Sequence, residues 1–496
     1  MIYHRKSPKR VLLVEPAYKT KYPPLGLMKI SAYHKMKGDD VTFVKGHNTA
    51  VQYEYWDRVY ICTLFTWTWK ETVETIRFYR ATLFNYSGRC FVGGILASLL
   101  PDELFNATGI QPVEGLLDDP RKIEQDDDVI IDDLPPDYDI LSQVERTGFR
   151  YSNTDSYLGY TTRGCTRRCG FCAVRTFEPD FVPYVDIGRV VDGIITTSGE
   201  KQNLVLMDNN VLASPEFDRI IDEIKGLGFV KGAVFGSTRR KRRVDFNQGL
   251  DARLLSETKM KKLSEVPLEP MRLGFDSIKL KDTYVRAVRL AHSYGQKEMS
   301  NYVLYNYNDT PEDFYHRLRI NIDLNEEFKN DSVKTSIYSF PMRYIPLDAK
   351  TRNVDTGNGH WNKRYLRAVQ LILSVMKGPV MPGRQFFLQA FGRDADEFKA
   401  IASMPDEFIR KRLVRNWRDL GTYEDRWMPY VREWMTEFAR LSSAESETLK
   451  LAVATCDHNL IQEQHTKCTG RVKRLLEFHL ESDDIVSTAE RQHATA

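Results

Sequence analysis

The sequence predicts an α/β protein in three parts. A doubly wound parallel sheet covers residues 1–118, a partial (β/α)6 barrel covers 151–350, and an α-helical domain covers 351–496. Three observations carry this reading. Short apolar runs of strand type alternate with segments of helical period in two separate series. An acidic stretch containing prolines, residues 119–150, divides the two series, and the strand-type runs stop near residue 350. A chain of 496 residues also exceeds what one core fills, so several domains are expected.

In the first series, Val11-Leu-Leu-Val14 is a short strand of the buried type, followed by Pro16 and the turn Tyr22-Pro-Pro-Leu-Gly26. Leu27, Ile30 and His34 recur at helical spacing, and Gly38 is placed to end that helix. Val41–Val44, Val59–Cys62 and Phe91-Val92 supply further strands, the last running into Gly93-Gly94. A sheet of this kind binds ligands at its carboxyl edge. The stretch from Asp126 to Asp139, with five aspartates in its first eight residues and Pro135-Pro136 near its end, reads as an extended linker.

The second series offers six strand candidates: Tyr157–Thr162, Leu204–Met207, Val244–Asn247, Leu273–Phe275, Tyr302–Tyr305 and Thr335–Ser339. Six strand–helix units suffice for an open barrel, whose functional groups sit on loops at the strand carboxyl ends. Beyond residue 350, Leu366, Val369, Ile372 and Met376 mark a helix ended by Gly378, and Glu407–Leu420 and Trp427–Leu441 mark two more.

Composition narrows the class. The chain is 42% hydrophobic and 28% charged, with a net charge of only +3, so there is no global pull toward nucleic acid or a membrane surface. No run approaches the roughly 18 to 20 apolar residues of a membrane span. Seven cysteines, three of them in one short run, do not form a secreted disulfide framework, and the only early apolar run is too short for a leader. A cytoplasmic protein in a reducing compartment is expected.

Chemistry concentrates in Gly159-Tyr-Thr-Thr-Arg-Gly-Cys-Thr-Arg-Arg-Cys-Gly-Phe-Cys172. Cys165, Cys169 and Cys172 are spaced Cys-x3-Cys-x2-Cys directly after the first strand of the second series. A structural zinc would need a fourth ligand, and neither a cysteine nor a histidine offers one locally. A redox pair would leave the third thiol idle. An iron–sulfur cubane held by three thiolates keeps one iron open to something other than protein.

This motif resembles that of the radical S-adenosylmethionine (SAM) superfamily. The resemblance implies a [4Fe-4S] cluster on the three cysteines and SAM chelating the fourth iron through its amino and carboxylate groups. It also implies reductive cleavage of SAM to methionine and a 5′-deoxyadenosyl radical that abstracts hydrogen from substrate. Phe171, just before the third cysteine, would lie near the adenine. Asp208, Asn209 and Asn210 stand where the superfamily binds the SAM amino group; Arg253 would meet the carboxylate, Asp276 the ribose, and Asn306 the fifth strand end, where Thr310 or Asp309 would cap the next helix. For each of these the alternative is an ordinary cap or surface turn.

The first part is similar to the cobalamin-binding-like domain that precedes the barrel in many such enzymes, on Tyr22–Gly26, Val92-Gly-Gly-Ile95 and Leu134–Asp139. In some relatives base-off cobalamin binding uses a histidine after the first strand, and members without it exist. Here that loop is Glu15-Pro-Ala-Tyr-Lys-Thr20, and neither His34 nor His47 replaces it, so cobalamin is left open but not favoured. Cys62 and Cys90 are too few for the extra cluster of methylthiotransferases and read as small buried hydrophobes. A flavodoxin- or ferredoxin-type electron donor is implied. The substrate is expected to be a small molecule or peptide. A nucleobase reached past the basic run Arg239-Arg-Lys-Arg-Arg243 is the alternative, against a solvated loop. Cys456, His458, His465 and Cys468 have spacings a zinc could use, but lie in a polar tail where coincidence is the simpler reading.

Overall fold

The structure is a computed structural model describing residues 8–81, 89–354, 356, 359–413 and 424–494. Its internal contacts divide it into two units, Met1–Arg272 with Ile345–Val354, and Leu273–Tyr344 with Asp355–Ala496.

The first unit begins with β1 (Arg10–Glu15), β2 (Asp40–Lys45), β3 (Arg58–Thr63), β4 (Cys90–Gly94) and β5 (Pro112–Val113). They form one parallel sheet in the order β2-β1-β3-β4-β5. Strands covered on both faces must be apolar throughout, and Val11–Val14 are each at most 1% exposed. The strand order reverses between β1 and β3, the position where such sheets open a crevice. Helix Leu25–Met36 follows β1 and ends before Gly38, whose φ of +81° lies in the left-handed region. Both ring nitrogens of the buried His34 are engaged, Nδ1 with Asp39 (2.7 Å) and Nε2 with Tyr60 (3.0 Å). Burial lowers the pKa of this imidazole. Cys90 is buried in β4, where desolvation pushes its thiol up to about 12.

The acidic connector differs from an extended linker. Ile131 and Ile140 are fully buried, and the Asp137 N–H donates to Met28 O (3.1 Å). Ser31 donates to the Asp137 carboxylate (2.5 Å), and Lys35 pairs with it at 2.8 Å. Tyr138 is 6% exposed; its hydroxyl donates to Ser156 O (2.7 Å) and accepts from Leu158 N–H (2.9 Å). Charge density suggested solvent, but the aspartates are used to bind helix Leu25–Met36 while the few apolar residues turn inward.

The same unit continues with β6 (Ser156–Gly159), β7 (Asn203–Leu206), β8 (Val234–Phe235), β9 (Arg240–Lys241) and β10 (Val244–Phe246). β6, β7 and β10 form a parallel sheet with β7 central. Residues 267–272 run beside β10, with Val244 N–H donating to Pro267 O and Leu250 N–H to Arg272 O. β8 and β9 make an antiparallel hairpin between helix Phe217–Gly226 and β10. This hairpin carries the basic run into the amino end of β10, whereas the cysteine segment leaves the carboxyl end of β6. Because the strands are parallel, the two lie on opposite edges of the sheet. Arg239, Arg240 and Lys241 are exposed; Arg242 pairs with Glu200, and Arg243 with Glu269 at 2.7 Å.

The chain passes into the second unit within β11 (Met271–Gly274), which joins β12 (Glu298–Tyr305) and β13 (Ser336–Arg343) in the order β11-β12-β13. β12 and β13 are parallel. All six strands expected of the second series are present, within a few residues of their expected ends. Among the described residues no strand follows Arg343, and helices from Lys363–Val375 to Gly470–Ala494 complete the unit. The two expected later helices are Asp406–Leu413 and Glu424–Ala439; residues 414–420 lie outside the described residues. Their core joins Phe387, Phe398, Phe408, Trp434 and Phe478 to Phe314 and Tyr305. Among the described residues no helix is long and apolar enough to cross a membrane.

Candidate functional site: the cysteine loop after β6

The local sequence builds this loop in steps. Gly159 ends β6 under helix Ile187–Ser198, where a Cβ would sit 2.6 Å from Ile187 Cδ1 and that side chain would have to shift. Thr161 O then accepts from Val185 N–H, and Arg163 and Val182 exchange a pair of backbone hydrogen bonds at 3.0 Å. These bonds staple the two ends of the segment together, so the excursion that carries all three cysteines is closed at its base. Gly164 has φ +68°, and a Cβ there would meet Asp180 O at 2.1 Å.

Asp208, just beyond β7, holds the exit of β6. Its carboxylate accepts from the N–H and Oγ1 of Thr161 (2.9 and 2.7 Å) and from the N–H and Oγ1 of Thr162. It is 1% exposed; burial pushes its carboxyl up to about 6, with the threonine hydrogen bonds acting in the opposite direction. Asp208, expected to meet a ligand amino group, here directs most of its hydrogen bonds to Thr161 and Thr162 at the exit of β6.

Asn209 and Asn210 do face the loop. Asn209 Nδ2 donates to Glu178 Oε2 (3.0 Å), and Asn210 Nδ2 lies 3.6 Å from Cys165 Sγ. Asn210 Oδ1 is buried without a hydrogen-bond partner, an acceptor awaiting a donor beside the first cysteine. Cys165 Sγ also accepts from Arg167 N–H (3.3 Å). The Cys172 N–H donates to Cys169 O (3.1 Å), and all three cysteines are partly exposed and uncrosslinked. Phe171 is half-buried on the same loop. Asp251 bridges Arg167 (3.0 Å) and Arg253 (2.6 Å), which ties the expected carboxylate-binding arginine to the cysteine loop. Burial works against the Asp251 charge, but the Arg253 and Arg167 guanidiniums outweigh it and hold the carboxyl below its ordinary value.

The other two expected positions belong to the second unit. Asn306 is 1% exposed with φ +68°, its Nδ2 donating to Tyr344 O (3.1 Å) and its Oδ1 accepting from Thr356 (3.2 Å). These two bonds hold the turn after β12. Asp276 is partly exposed just after β11. Next to it, buried Arg317 donates to Phe275 O (2.9 Å) and pairs with Asp309 at 2.6 Å. Thr310, not Asp309, caps helix Pro311–Phe328, in a reciprocal box with Asp313.

Sequence reasoning missed Arg163, Glu178 and Asp251. Glu178 reaches Gly164 N–H (2.7 Å) only because the loop closes, and no spacing rule announces that. Among the described residues no three His, Cys, Asp or Glu side chains converge as a single metal ion requires, which includes the Cys456–Cys468 tail. The donor set fits a cluster better than one ion: three thiols on one glycine-containing loop, with backbone N–H and amide groups directed at sulfur.

No protein-family model matches the sequence, and no curated protein does. Solved structures are similar to it at low identity. The radical S-adenosylmethionine methyltransferase TsrM from Kitasatospora setae, with cobalamin and [4Fe-4S] cluster bound, shares 14% identity over 98% of this chain and 100% of its own, with a TM-score of 0.49. The same enzyme with tryptophan substrate and a SAM analog (aza-SAM) gives 16%, 68%, 75% and 0.46 in the same order. Streptococcus suis SuiB bound to S-adenosylmethionine gives 11%, 45%, 45% and 0.28. Scores at this level decide nothing about chemistry, which this chain's own residues must carry.

Proposed function

We propose that this chain is a radical SAM enzyme whose cysteine loop holds a [4Fe-4S] cluster through Cys165, Cys169 and Cys172. The observation that carries the reading is the loop itself: three uncrosslinked thiols in Cys-x3-Cys-x2-Cys spacing at a strand carboxyl end, beside the orphaned Asn210 Oδ1. When bound, the cluster supplies the electron for reductive cleavage of SAM. The chain's own residues do the rest. Asn210 Oδ1 accepts a hydrogen bond from the SAM amino group, Arg253 offers its guanidinium to the carboxylate, and Phe171 packs against the adenine. Hydrogen abstraction from a small-molecule or peptide substrate follows, with a flavodoxin- or ferredoxin-type donor as the source of electrons. Within the first unit, the loop leaves the carboxyl end of β6 in the parallel β6-β7-β10 sheet, the end at which such α/β folds place functional groups.

The basic hairpin lends no support to a nucleic-acid substrate, since it sits at the opposite edge of the β6-β7-β10 sheet. Cobalamin-dependent methyl transfer is a second reading, favoured by the order β2-β1-β3-β4-β5, whose reversal between β1 and β3 is where sheets of this kind bind ligands. His34 cannot serve as a lower ligand in it, because both ring nitrogens are engaged.

Anaerobic reconstitution with iron and sulfide, followed by reduction with SAM present, tests the proposal. An iron–sulfur absorption band and 5′-deoxyadenosine are expected, with loss of both in Cys165→Ala, Cys169→Ala and Cys172→Ala. A wild-type protein showing neither would sink it. Retention of methylcobalamin through gel filtration would support the second reading.

A further inference from the structure

Four charged side chains that the proposed reaction leaves without a task are gathered against the cysteine loop. Arg163, Glu178 and Lys29 are 6%, 5% and 7% exposed, and Asp132 lies between them. Arg163 Nη2 is 3.1 Å from Glu178 Oε1 and 3.5 Å from Asp132 Oδ2. Lys29 Nζ is 3.1 Å from Asp132 Oδ1 and donates also to its backbone carbonyl. The Arg163 guanidinium stacks 3.9 Å over the Tyr160 ring, and its Nε and Nη1 are buried without an acceptor.

Such a group adds little net stability, because desolvating the charges offsets most of their attraction; what it fixes is position. Glu178 shows which position. One of its oxygens holds Arg163, and the other accepts from the Gly164 N–H, one residue before Cys165, and from Asn209, one residue before Asn210. A single carboxylate thus connects the guanidinium, the entry to the cysteine loop and Asn209, the chain neighbour of the asparagine whose amide lies beside Cys165. On the far side, Asp132 and Lys29 belong to the connector and to helix Leu25–Met36 of the five-stranded layer.

We infer that the Arg163–Glu178 pair is a positioning device for the cysteine loop, and that Asp132 and Lys29 anchor it to the first sheet layer. The inference rests on the cluster reading above for its consequence, but not for its geometry. Losing the charge-assisted hydrogen bond from Gly164 N–H to the Glu178 carboxylate is worth about tenfold in an equilibrium.

The test uses the full chain as wild type, Glu178→Gln, Arg163→Lys and Asp132→Asn, all reconstituted anaerobically. Glu178→Gln and Arg163→Lys are expected to load iron but to release it to a chelator about tenfold faster, with an altered electron paramagnetic resonance signal after reduction. Asp132→Asn should move both readouts the same way by less. In the metal-free protein, amide exchange at Gly164 and Cys165 should accelerate in Glu178→Gln while the thermal midpoint stays within a few degrees of wild type. Unchanged release, spectrum and exchange would overturn the inference and leave the cluster reading standing. Metal-free Glu178→Gln and Arg163→Lys that both fail to fold would overturn it too, because the pair would then be a support of the whole fold. If wild type takes up no cluster, the cluster reading fails, and the amide exchange alone decides the positioning role.

Discussion

Asp208 holds a carboxylate where water does not reach, and Thr161 and Thr162 provide its hydrogen bonds in place of solvent. Its folded pKa of about 6 lies above the ordinary 3.8, so the folded state binds the proton more tightly than the unfolded chain does. The stability linked to that proton is fully present below about pH 4 and is lost as pH rises through 6. By this linkage the penalty at neutral pH is on the order of 2–3 kcal/mol. Metal-free wild type should therefore gain thermal stability relative to Asp208→Asn on moving from pH 7 to pH 5. Equal pH shifts in the two proteins would refute the assignment. Gly164→Ala is a second test at this scale. The new Cβ would collide with Asp180 O from a left-handed backbone, so iron uptake should fall sharply, read as iron bound per chain.

Among the elements, the stapled loop and the capped helix show how differently local signals are written. The Thr310–Asp313 box is spelled out in consecutive residues, Thr310-Pro-Glu-Asp313, and could be expected before any coordinates. Thr310→Ala should cost about 1 kcal/mol, seen as a lower denaturation midpoint with no change in denaturant dependence. A midpoint equal to wild type would mean the cap carries no load. The longer strands of both series were equally legible from their apolar runs, whereas the two-residue strands β5, β8 and β9 carry no such run and were not expected. The connector was not. Its aspartates signalled solvent, yet Asp137 is 6% exposed and neutralised by Lys35, a pairing between residues 102 positions apart that no local rule contains. The same reason hid Glu178, whereas the cysteine motif, written within eight residues, was plain.

For the molecule as a whole, the opposed edges of the β6-β7-β10 sheet separate two kinds of surface. Reversing the charges of Arg239, Arg240 and Lys241 to glutamate should leave the rate of 5′-deoxyadenosine formation within about twofold of wild type, because no strand brings these side chains to the cysteine edge. A tenfold loss would require a long-range influence that the parallel topology does not provide.

The Asp137-Tyr138 dipeptide has a consequence for how this protein can be taken apart. Asp137 grips helix Leu25–Met36, and the adjacent Tyr138 hydroxyl satisfies two backbone groups of β6, the strand that launches the cysteine loop. An expression fragment beginning at residue 151 would leave Ser156 O and Leu158 N–H bare at a sheet edge. One ending at residue 118 would lose the carboxylate that neutralises Lys35. The segment that looks in sequence like the natural place to cut is the rivet, so the two α/β layers of the first unit are inherited, produced and purified as one piece.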